Sequence, residues 1–310
     1  MNGEEGESLA DLAHPLASSD TEVMSVLAEH TLYTLARLLY RTEVVHDAEM
    51  KQALQSLKAN NTYRSQQVNR MLAATKRFQL PLDGDILDLG CNDGALTVQY
   101  DAPRTLTGID IDAQAIERAK ARHSRVTFLV GTPGTLPLPD ASLDGILCYD
   151  VFEHVAKPDE VLAECRRVLR PGGWMLIGTW GWGHPFAPHL WATMPVPWAH
   201  LLVSERTLFR ACRRVYHASW YRPTYHDLDA NGNRHKDRYT QTRIDPNYLN
   251  KFKIRDFEKV FRDSGFAWEV SVEPFGSAPW IAPLLKTPLR EYLHSYLWAV
   301  LRRDRTTPAD

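Results

Sequence analysis

One stretch of the chain joins a short apolar run to a turn bounded by two glycines: Ile86-Leu87-Asp88-Leu89-Gly90-Cys91-Asn92-Asp93-Gly94-Ala95-Leu96. The apolar run predicts a buried β-strand. Glycine adopts positive φ easily and lets the backbone come close to a ligand, so the two glycines indicate a tight turn. We expect a helix after the turn, which makes the stretch a strand-turn-helix unit.

Strand and helix patterns alternate beyond this stretch. Predicted strands cover Thr105–Ile109, Val126–Val130, Ser142–Tyr149, Trp174–Thr179 and residues 266–273, and predicted helices cover Ala113–Arg122, Pro158–Leu169 and residues 253–264. Such alternation implies right-handed crossovers and helices on both faces of a parallel sheet. The expected fold class is therefore α/β, a Rossmann-like doubly wound and mostly parallel sheet. Ligands of such sheets bind outside the carboxyl ends of the strands, where the glycine turn lies.

The segments outside this core differ from it in composition. Apolar residues at helical spacing predict an N-terminal cap with later helices near 46–58 and 62–78, and aromatic residues crowd the segment after the fifth strand. We divide the chain into a disordered tail (1–19), a helical cap (20–80), a Rossmann-like core (81–180), an aromatic-rich substrate-binding insert or lid (181–250), a core completion (251–275) and a C-terminal helix (276–310).

The overall composition argues against several kinds of partner. The net charge is -2, and phosphate neutralisation needs clustered Lys and Arg, so no nucleic-acid binding is expected. The four cysteines form no Cys-x-x-Cys pair and fit a reducing cytoplasm. No apolar run is long enough to span a membrane, and the acidic amino-terminal stretch lacks the apolar segment of a secretory signal. The expected location is cytoplasmic.

The residues around the glycine turn indicate the charge of the ligand. A dinucleotide fingerprint reads G-x-G-x-x-G, whereas this turn reads G-x-x-x-G and is flanked by Asp88 and Asp93. Carboxylates repel a pyrophosphate but suit a cationic amino group and a sulfonium. Asp110 follows Gly90 by twenty residues at the end of the next predicted strand, where an acid can accept hydrogen bonds from ribose hydroxyls. The set predicts a nucleoside with a positive, phosphate-free tail.

Several ordered motifs resemble those of class I S-adenosylmethionine-dependent methyltransferases of the small-molecule type. They are the glycine-rich motif at 86–96, the ribose-binding strand end at 108–112, the segment before strand four at 136–144, the turn after that strand at 151–155 and the entry to strand five at 169–173. The likeness covers residues 85–180 and is weaker over 251–274. It implies an enzyme whose cofactor is S-adenosylmethionine.

The resemblance also implies a set of cofactor-binding residues. They are Asp88, Gly90, Cys91, Asn92, Asp93, Gly94, Asp110, Ile111, Thr132, Tyr149 and Asp150, with Tyr63 and Arg64 of the helical cap. Members of the family often carry an acid after strand three, whereas this chain reads Gly131-Thr132-Pro133-Gly134. Thr132 or a backbone carbonyl is therefore expected to accept the hydrogen bond of the adenine amine.

The acceptor side is expected near the end of strand four and in the insert. His154, His184 and His189 are the candidate catalytic bases, because a neutral imidazole can take a proton from a phenol or an alcohol; a structural role is the alternative for each. Trp182 and Trp191 are the predicted substrate-binding aromatics, with lid packing or a dimer contact as the alternative.

No metal is expected at this end of the sheet. A weaker alternative is Mg²⁺ or Ca²⁺ held by Asp150, Glu153 and His154, as in some quinone-biosynthesis O-methyltransferases that this segment resembles.

The expected reaction is methyl transfer from S-adenosylmethionine to a nucleophilic atom, oxygen before nitrogen or carbon, of a small-molecule metabolite, with secondary metabolism as one setting. The C-terminal helix is expected to pack on the domain or on a second copy in a homodimer, and a membrane surface is the less favoured alternative. Two other functions stay open: a nicotinamide-dependent oxidoreductase and a non-catalytic scaffold that binds S-adenosylmethionine.

Overall fold

The computed structural model describes residues 16–40, 62–132, 134–190, 193–221, 239–276 and 280–305. The chain divides into two compact units. The helical unit comprises Met1–Met50 and Pro188–Ile244, and the sheet unit comprises Lys51–Ala187 and Asp245–Asp310. The domain boundaries proposed from the sequence stay predictions.

A mixed sheet of seven strands forms the centre of the sheet unit. The strands are β1 Asp85–Leu89, β2 Thr105–Asp110, β3 Thr127–Val130, β4 Leu143–Tyr149, β5 Leu169–Thr179, β6 Ala267–Pro274 and β7 His294–Arg302. Their order across the sheet is β3-β2-β1-β4-β5-β7-β6. The first five strands pair with one another in parallel, and β7 is antiparallel to both β5 and β6. The predicted fold class is confirmed.

Helices precede, link and follow the strands. In chain order they are α1 Leu16–Tyr40, α2 Thr62–Arg77, α3 Ala113–Arg122, α4 Pro158–Val168, α5 Ala199–Leu202, α6 Glu205–Tyr216, α7 Ile254–Asp263, α8 Ile281–Leu284 and α9 Arg290–Leu293, with 3-10 turns at Thr97–Gln99 and Phe152–His154. Of these, α1, α5 and α6 belong to the helical unit and the others to the sheet unit. No helix within the described ranges is long and apolar enough to cross a membrane.

The sheet buries side chains on both of its faces. Successive side chains of a strand point to opposite faces, and β4 shows the consequence. Ile146 packs in one cluster with Leu162 of α4 and Phe257 of α7, whereas Leu147 packs in another with Met71 of α2. Helices therefore cover each face, which leaves the ends of the strands as the places where a ligand can enter.

The helical unit is held by apolar contacts and a buried charge. Leu32 and Ala36 of α1 are buried, and the Glu29 carboxylate accepts ion pairs from Arg210 at 2.8 Å and Arg214 at 3.4 Å, both on α6. α1 begins at Leu16, so the last residues of the predicted tail 1–19 are helical, and the prediction is wrong there. Residues 1–15 and the predicted helix at 46–58 lie outside the described residues.

The predicted C-terminal helix over 276–310 is wrong. Residues 281–293 hold only the four-residue helices α8 and α9, and β7 fills the gap between β5 and β6. Leu297, Ala299 and Leu301 are buried on one face of β7, and Tyr296 and Trp298 on the other. A strand buried on both faces is a continuous apolar run, and such a run satisfies helical spacing as well as strand spacing. The amphipathic face considered for a membrane or a dimer is therefore not formed.

The helix expected after the glycine turn is also absent. Residues 90–104 link β1 to β2, and their only helical element is the 3-10 turn Thr97–Gln99. Tyr100 and then Asp101-Ala102-Pro103 follow, and the residue before a proline disfavours the α-helical conformation. Pro103 therefore limits how far a helix could extend in this link.

Arg303 ties the end of α4 to the strand β7. Its Nη1 donates to the carbonyl oxygens of Arg166 at 2.8 Å and Leu169 at 2.5 Å, and more weakly to that of Arg167 at 3.4 Å. The last carbonyls of a helix have no partner within the helix, and Arg303 is buried. The Arg167 carbonyl also accepts from the Ala141 N–H at 2.9 Å, so the guanidinium serves mainly the carbonyls of Arg166 and Leu169.

We expect Arg303→Met to lower the free energy of unfolding by about 2 to 4 kcal/mol, because it leaves these carbonyls unsatisfied. Urea denaturation measures the change. Arg302→Met is the matched control: this exposed neighbour donates one hydrogen bond, to the Phe78 carbonyl, and its loss should cost under about 1 kcal/mol. Equal losses for the two variants would contradict the capping role.

Candidate functional site

The turn after β1 approaches the turn after β4 closely. Gly90 has a φ of +80° and Gly94 a φ of +75°, both in the left-handed region that glycine tolerates. A Cβ on Gly90 would lie 2.2 Å from Cγ2 of Val151, and one on Gly94 would lie 2.5 Å from the Phe128 ring. Neither position has room for a side chain, so the glycines are required by conformation and by space together.

Asp110 is held beside this turn by the backbone. One carboxylate oxygen accepts from the Asn92 N–H at 2.8 Å, and the other accepts from the Asp112 N–H at 2.9 Å. A carboxylate offers about four acceptor positions, so each oxygen keeps one for a ligand. Asp110 is thereby oriented to receive a pair of hydroxyls, and the adjacent Ile111 side chain, 68% exposed, presents an apolar surface.

Asp88 lies beneath the turn in the core. Its carboxylate accepts a hydrogen bond from the Thr97 hydroxyl at 2.6 Å, and the residue is 6% exposed. Burial raises the pKa of Asp88 from its usual 3.8 to about 6, and the nearby charge of Asp110 adds to the increase, while the Thr97 bond opposes it. Asp88 is therefore a buried partner of Thr97 and is not exposed on the surface of the turn.

We expect Asp88→Asn to stabilise the protein in a pH-dependent way. Because the folded pKa exceeds the unfolded one, the acid contributes its full stability below about pH 4 and loses it as pH rises through about 6. The asparagine keeps an acceptor for Thr97 and carries no charge. Its advantage in unfolding free energy should be near zero at pH 4 and reach up to about 3 kcal/mol at pH 7. A difference that does not vary with pH would contradict the buried-charge explanation.

The other predicted residues of the turn are engaged by the protein. Asp93 forms an ion pair with Arg122 at 3.0 Å. The Asn92 side chain accepts from the Asp93 N–H at 2.7 Å, and its backbone has a φ of +47°. Cys91 is buried, which raises the pKa of its thiol and keeps it protonated. These contacts fix the shape of the turn before any ligand binds.

Thr132 follows β3, at the position where members of the family often carry an acid. Thr132 and Thr135 exchange backbone hydrogen bonds at 3.2 Å in both directions, and the Thr132 hydroxyl donates to the Thr135 carbonyl at 3.4 Å. A hydroxyl that donates one hydrogen bond can still accept another. Thr132 can therefore still accept a hydrogen bond, and its role toward the adenine amine stays a prediction.

The end of β4 carries Asp150, a half-buried acid that contacts Tyr296. Asp150 has a φ of +53° and accepts a hydrogen bond from the Tyr296 hydroxyl at 2.6 Å. Burial and the neighbouring Glu153 raise the pKa of Asp150. The Arg70 guanidinium lies 4.4 Å from the Tyr296 ring centre and donates to the Tyr149 hydroxyl at 3.4 Å. Arg70 and Tyr296 were not predicted as site residues, because neither α2 nor the mispredicted C-terminal segment contains a sequence motif.

Comparisons with known proteins agree with this arrangement. Residues 87–177 match a family model described as a methyltransferase domain. This segment is a class I S-adenosylmethionine-dependent methyltransferase domain. It contains the glycine turn, Asp110, Thr132 and the end of β4, and its cofactor is S-adenosylmethionine.

Three curated relatives illustrate the likeness. A probable S-adenosylmethionine-dependent methyltransferase of Mycolicibacterium smegmatis is 38% identical over 96 residues, which cover 31% of this chain and 37% of that protein. The 27-O-demethylrifamycin SV methyltransferase of Amycolatopsis mediterranei is 35% identical, with 32% and 40% covered. The ubiquinone biosynthesis O-methyltransferase of Thiobacillus denitrificans is 31% identical, with 32% and 46% covered. The chain thus spans less than half the length of each of these relatives.

The three candidate bases of the methyltransferase domain and its insert lie in different surroundings. Nδ1 of His154 lies 2.5 Å from the Tyr248 carbonyl oxygen, a partner that requires a proton on Nδ1 and therefore assigns the lone pair of the neutral ring to Nε2. Nδ1 of His184 accepts from the Phe186 N–H at 3.0 Å, which assigns the proton to Nε2. His184 as it lies cannot take a ligand proton at Nε2. His189 belongs to the helical unit and has a φ of +58°.

Other predicted site residues are only partly described. The backbone of Tyr63 and Arg64 lies in α2, but their side chains, and all of Trp191, lie outside the described residues. Trp182 is described, and the Lys251 ammonium lies 5.6 Å from its ring centre. Their roles in binding stay predictions.

The weaker metal alternative concerns groups that already have protein partners. Asp150 accepts from Tyr296, Glu153 accepts from the Thr179 hydroxyl at 2.7 Å, and His154 faces the Tyr248 carbonyl. These contacts hold the three side chains in place without a metal ion. The metal alternative stays a prediction.

Proposed function

We propose that the protein transfers the methyl group of S-adenosylmethionine to an oxygen atom of a small-molecule acceptor. The observation that carries the proposal is Asp110, which lies at the carboxyl end of β2 beside the glycine turn and is oriented by the Asn92 and Asp112 amides. When bound, the cofactor supplies an activated methyl group on a sulfonium. The residues present fit it, because they offer acceptors for hydroxyls, an apolar surface and no phosphate-binding cation within the turn.

The protein's own residues bind, orient and exclude water in this proposal. Asp110 holds the ribose, Ile111 packs on the base, and Thr132 accepts from the adenine amine. A sulfonium cation near Asp150 at the end of β4 would favour the ionised form of this acid, whose pKa burial and Glu153 raise. His154 takes the acceptor proton at Nε2, the ring nitrogen that carries the lone pair. Alignment of the reacting groups alone can supply about 7 to 11 kcal/mol of the barrier.

The names of two relatives favour oxygen as the acceptor atom. One is an O-methyltransferase of ubiquinone biosynthesis, and the other methylates 27-O-demethylrifamycin SV. Both names describe small-molecule acceptors. They support the acceptor class proposed here and leave the individual molecule to experiment.

Incubation of the full chain with a trideuteromethyl donor and cell-extract metabolites tests the proposal. The expected result is a labelled small molecule whose formation needs both the donor and the folded protein. Absence of any labelled product, from a protein that does bind S-adenosylhomocysteine, would overturn methyl transfer and favour the non-catalytic scaffold.

A further inference from the structure

The Tyr296 side chain reaches the end of β4 from β7, a strand that does not pair with β4. The strand β5 lies between the two, and the Tyr296 hydroxyl nevertheless donates to Oδ1 of Asp150 at 2.6 Å. The tyrosine ring crosses β5 at Gly178, where a Cβ would lie 2.9 Å from the hydroxyl oxygen of Tyr296. The lack of a side chain at Gly178 therefore leaves the room that this contact needs.

Asp150 lies between the strand β4 and the residue that meets the glycine turn. It follows Tyr149, the last residue of β4, and precedes Val151, whose side chain would collide with a Cβ on Gly90. The φ of Asp150 is +53°, and a residue other than glycine keeps such a conformation only where its surroundings hold it. The Tyr296 hydroxyl supplies such a contact to the Asp150 carboxylate.

The Tyr296 ring is itself held by its neighbours. The residue is buried, the Arg70 guanidinium lies 4.4 Å from its ring centre, and the Trp298 ring centre lies 4.9 Å away. Glu273 of β6 accepts hydrogen bonds from both neighbours, from Arg70 at 2.9 Å and from the Trp298 indole at 2.7 Å. The hydroxyl is therefore presented to Asp150 by a ring whose rotation is restricted by its packing.

We propose that Tyr296 is a positioning residue that holds the Asp150 carboxylate at the carboxyl edge of β4, where it attracts the sulfonium of S-adenosylmethionine. The inference rests on the proposed function and adds to the donor site a residue outside the segment 87–177. A hydroxyl that donates to a carboxylate favours the charged form of the acid, and the carboxylate keeps further acceptor positions for a ligand. Tyr296 therefore helps the site to distinguish the cationic donor from the neutral S-adenosylhomocysteine.

Calorimetric titration of the full chain with S-adenosylmethionine, and separately with S-adenosylhomocysteine, tests the proposal, because the two ligands differ in the charge at sulfur. Burial and the charge of Glu153 raise the pKa of Asp150, so the titration is run at pH 8, where more of the acid is ionised. The Tyr296 hydrogen bond, with Arg70 and His154 nearby, opposes this increase in pKa. Tyr296→Phe, which keeps the ring, should lower the preference for the sulfonium by about three- to tenfold and leave the affinity for S-adenosylhomocysteine within about twofold.

Tyr292→Phe is the matched control for the loss of a hydroxyl. Tyr292 is an exposed residue of α9 whose hydroxyl accepts from the Lys253 ammonium at 3.4 Å, and its variant should keep the wild-type preference. Asp150→Asn should lower the preference at least as far as Tyr296→Phe does. The double variant of Asp150 and Tyr296 should lower it no further than Asp150→Asn alone, because both changes remove the same contact.

Three results would overturn the proposal. The first is a Tyr296→Phe protein that keeps the wild-type preference, and the second is a variant that binds both ligands more weakly by the same factor, which would leave Tyr296 a structural role alone. The third is an Asp150→Asn protein that keeps the preference, and this variant tests the contact from its other end whether or not Tyr296→Phe folds. A wild type that binds neither ligand would instead refute the proposed function, so the two failures are distinguishable.

Discussion

Replacement of Asp110 by Asn is expected to weaken the binding of S-adenosylhomocysteine by about 30- to 100-fold. A hydrogen bond to a charged group contributes about 1.5 to 3 kcal/mol, and Asp110 is proposed to make two to the ribose. The asparagine has one acceptor oxygen in place of two, and that oxygen must also serve the Asn92 or the Asp112 amide. The variant therefore loses ligand contacts and loosens the turn together.

Titration calorimetry measures this loss, and Asp101→Asn is its matched control. Asp101 undergoes the same change of charge at an exposed position that precedes β2, at the opposite end of that strand from Asp110. The control should bind S-adenosylhomocysteine within about twofold of the wild type. Unchanged affinity of the Asp110→Asn protein would remove the ribose-binding role.

Gly90→Ala is expected to lower the free energy of unfolding by about 2 to 5 kcal/mol and to abolish measurable cofactor binding. An alanine in the left-handed region costs about 1 to 2 kcal/mol. Its Cβ would lie 2.2 Å from the Val151 side chain, and such overpacking costs about 1 to 3 kcal/mol more. The backbone can relieve the clash only by moving the turn away from β4, which deforms the proposed cofactor site.

Two further variants separate the causes of this effect, with unfolding by urea as the measurement. In the double variant Gly90→Ala with Val151→Ala, the clash is removed and the strained φ stays, so the two changes should cost less together than the sum of their separate costs. Gly134→Ala is the control, because its Cβ would meet only Glu160 at 3.6 Å, and its effect should be within about 0.5 kcal/mol. Strict additivity of the Gly90 and Val151 changes would show that the close approach is not what requires glycine.

The parallel half of the sheet could be predicted from the sequence because its signals are local. Each of β1 to β5 is an apolar run bounded by turn residues, and the Pro158 start and Pro171-Gly172 stop bracket α4 and the entry to β5. Right-handed crossovers then place helices on both faces of the sheet. These features depend on neighbours in the chain, so one sequence suffices to read them.

The strand β7 could not be predicted because its identity is set by tertiary pairing. Its residues are apolar on both faces, and only insertion between β5 and β6 makes that pattern a strand. The helix expected after Gly94 is likewise not formed, and the link to β2 holds a 3-10 turn in its place. In both places the local pattern allowed two conformations, and long-range packing chose between them.

The residues of the candidate site also divide into those with a local sequence motif and those brought in by tertiary contacts. The glycine turn and Asp110 are contiguous motifs that the sequence displays, and the structure brings them together. Tyr296 and Arg70, which contact the end of β4, come from β7 and α2 and carry no motif. Glu153 was predicted only as a metal alternative, because its burial exists only in the folded chain.

Titration of the full chain with S-adenosylhomocysteine, and separately with NADH, tests the central claim most directly. The claim is that the edge formed by β1, β2 and β4 holds a sugar-bearing cofactor with a positively charged tail. We predict saturable binding of S-adenosylhomocysteine at one site per chain and no binding of NADH. Binding of NADH alone, or no affinity for S-adenosylhomocysteine, would contradict the account.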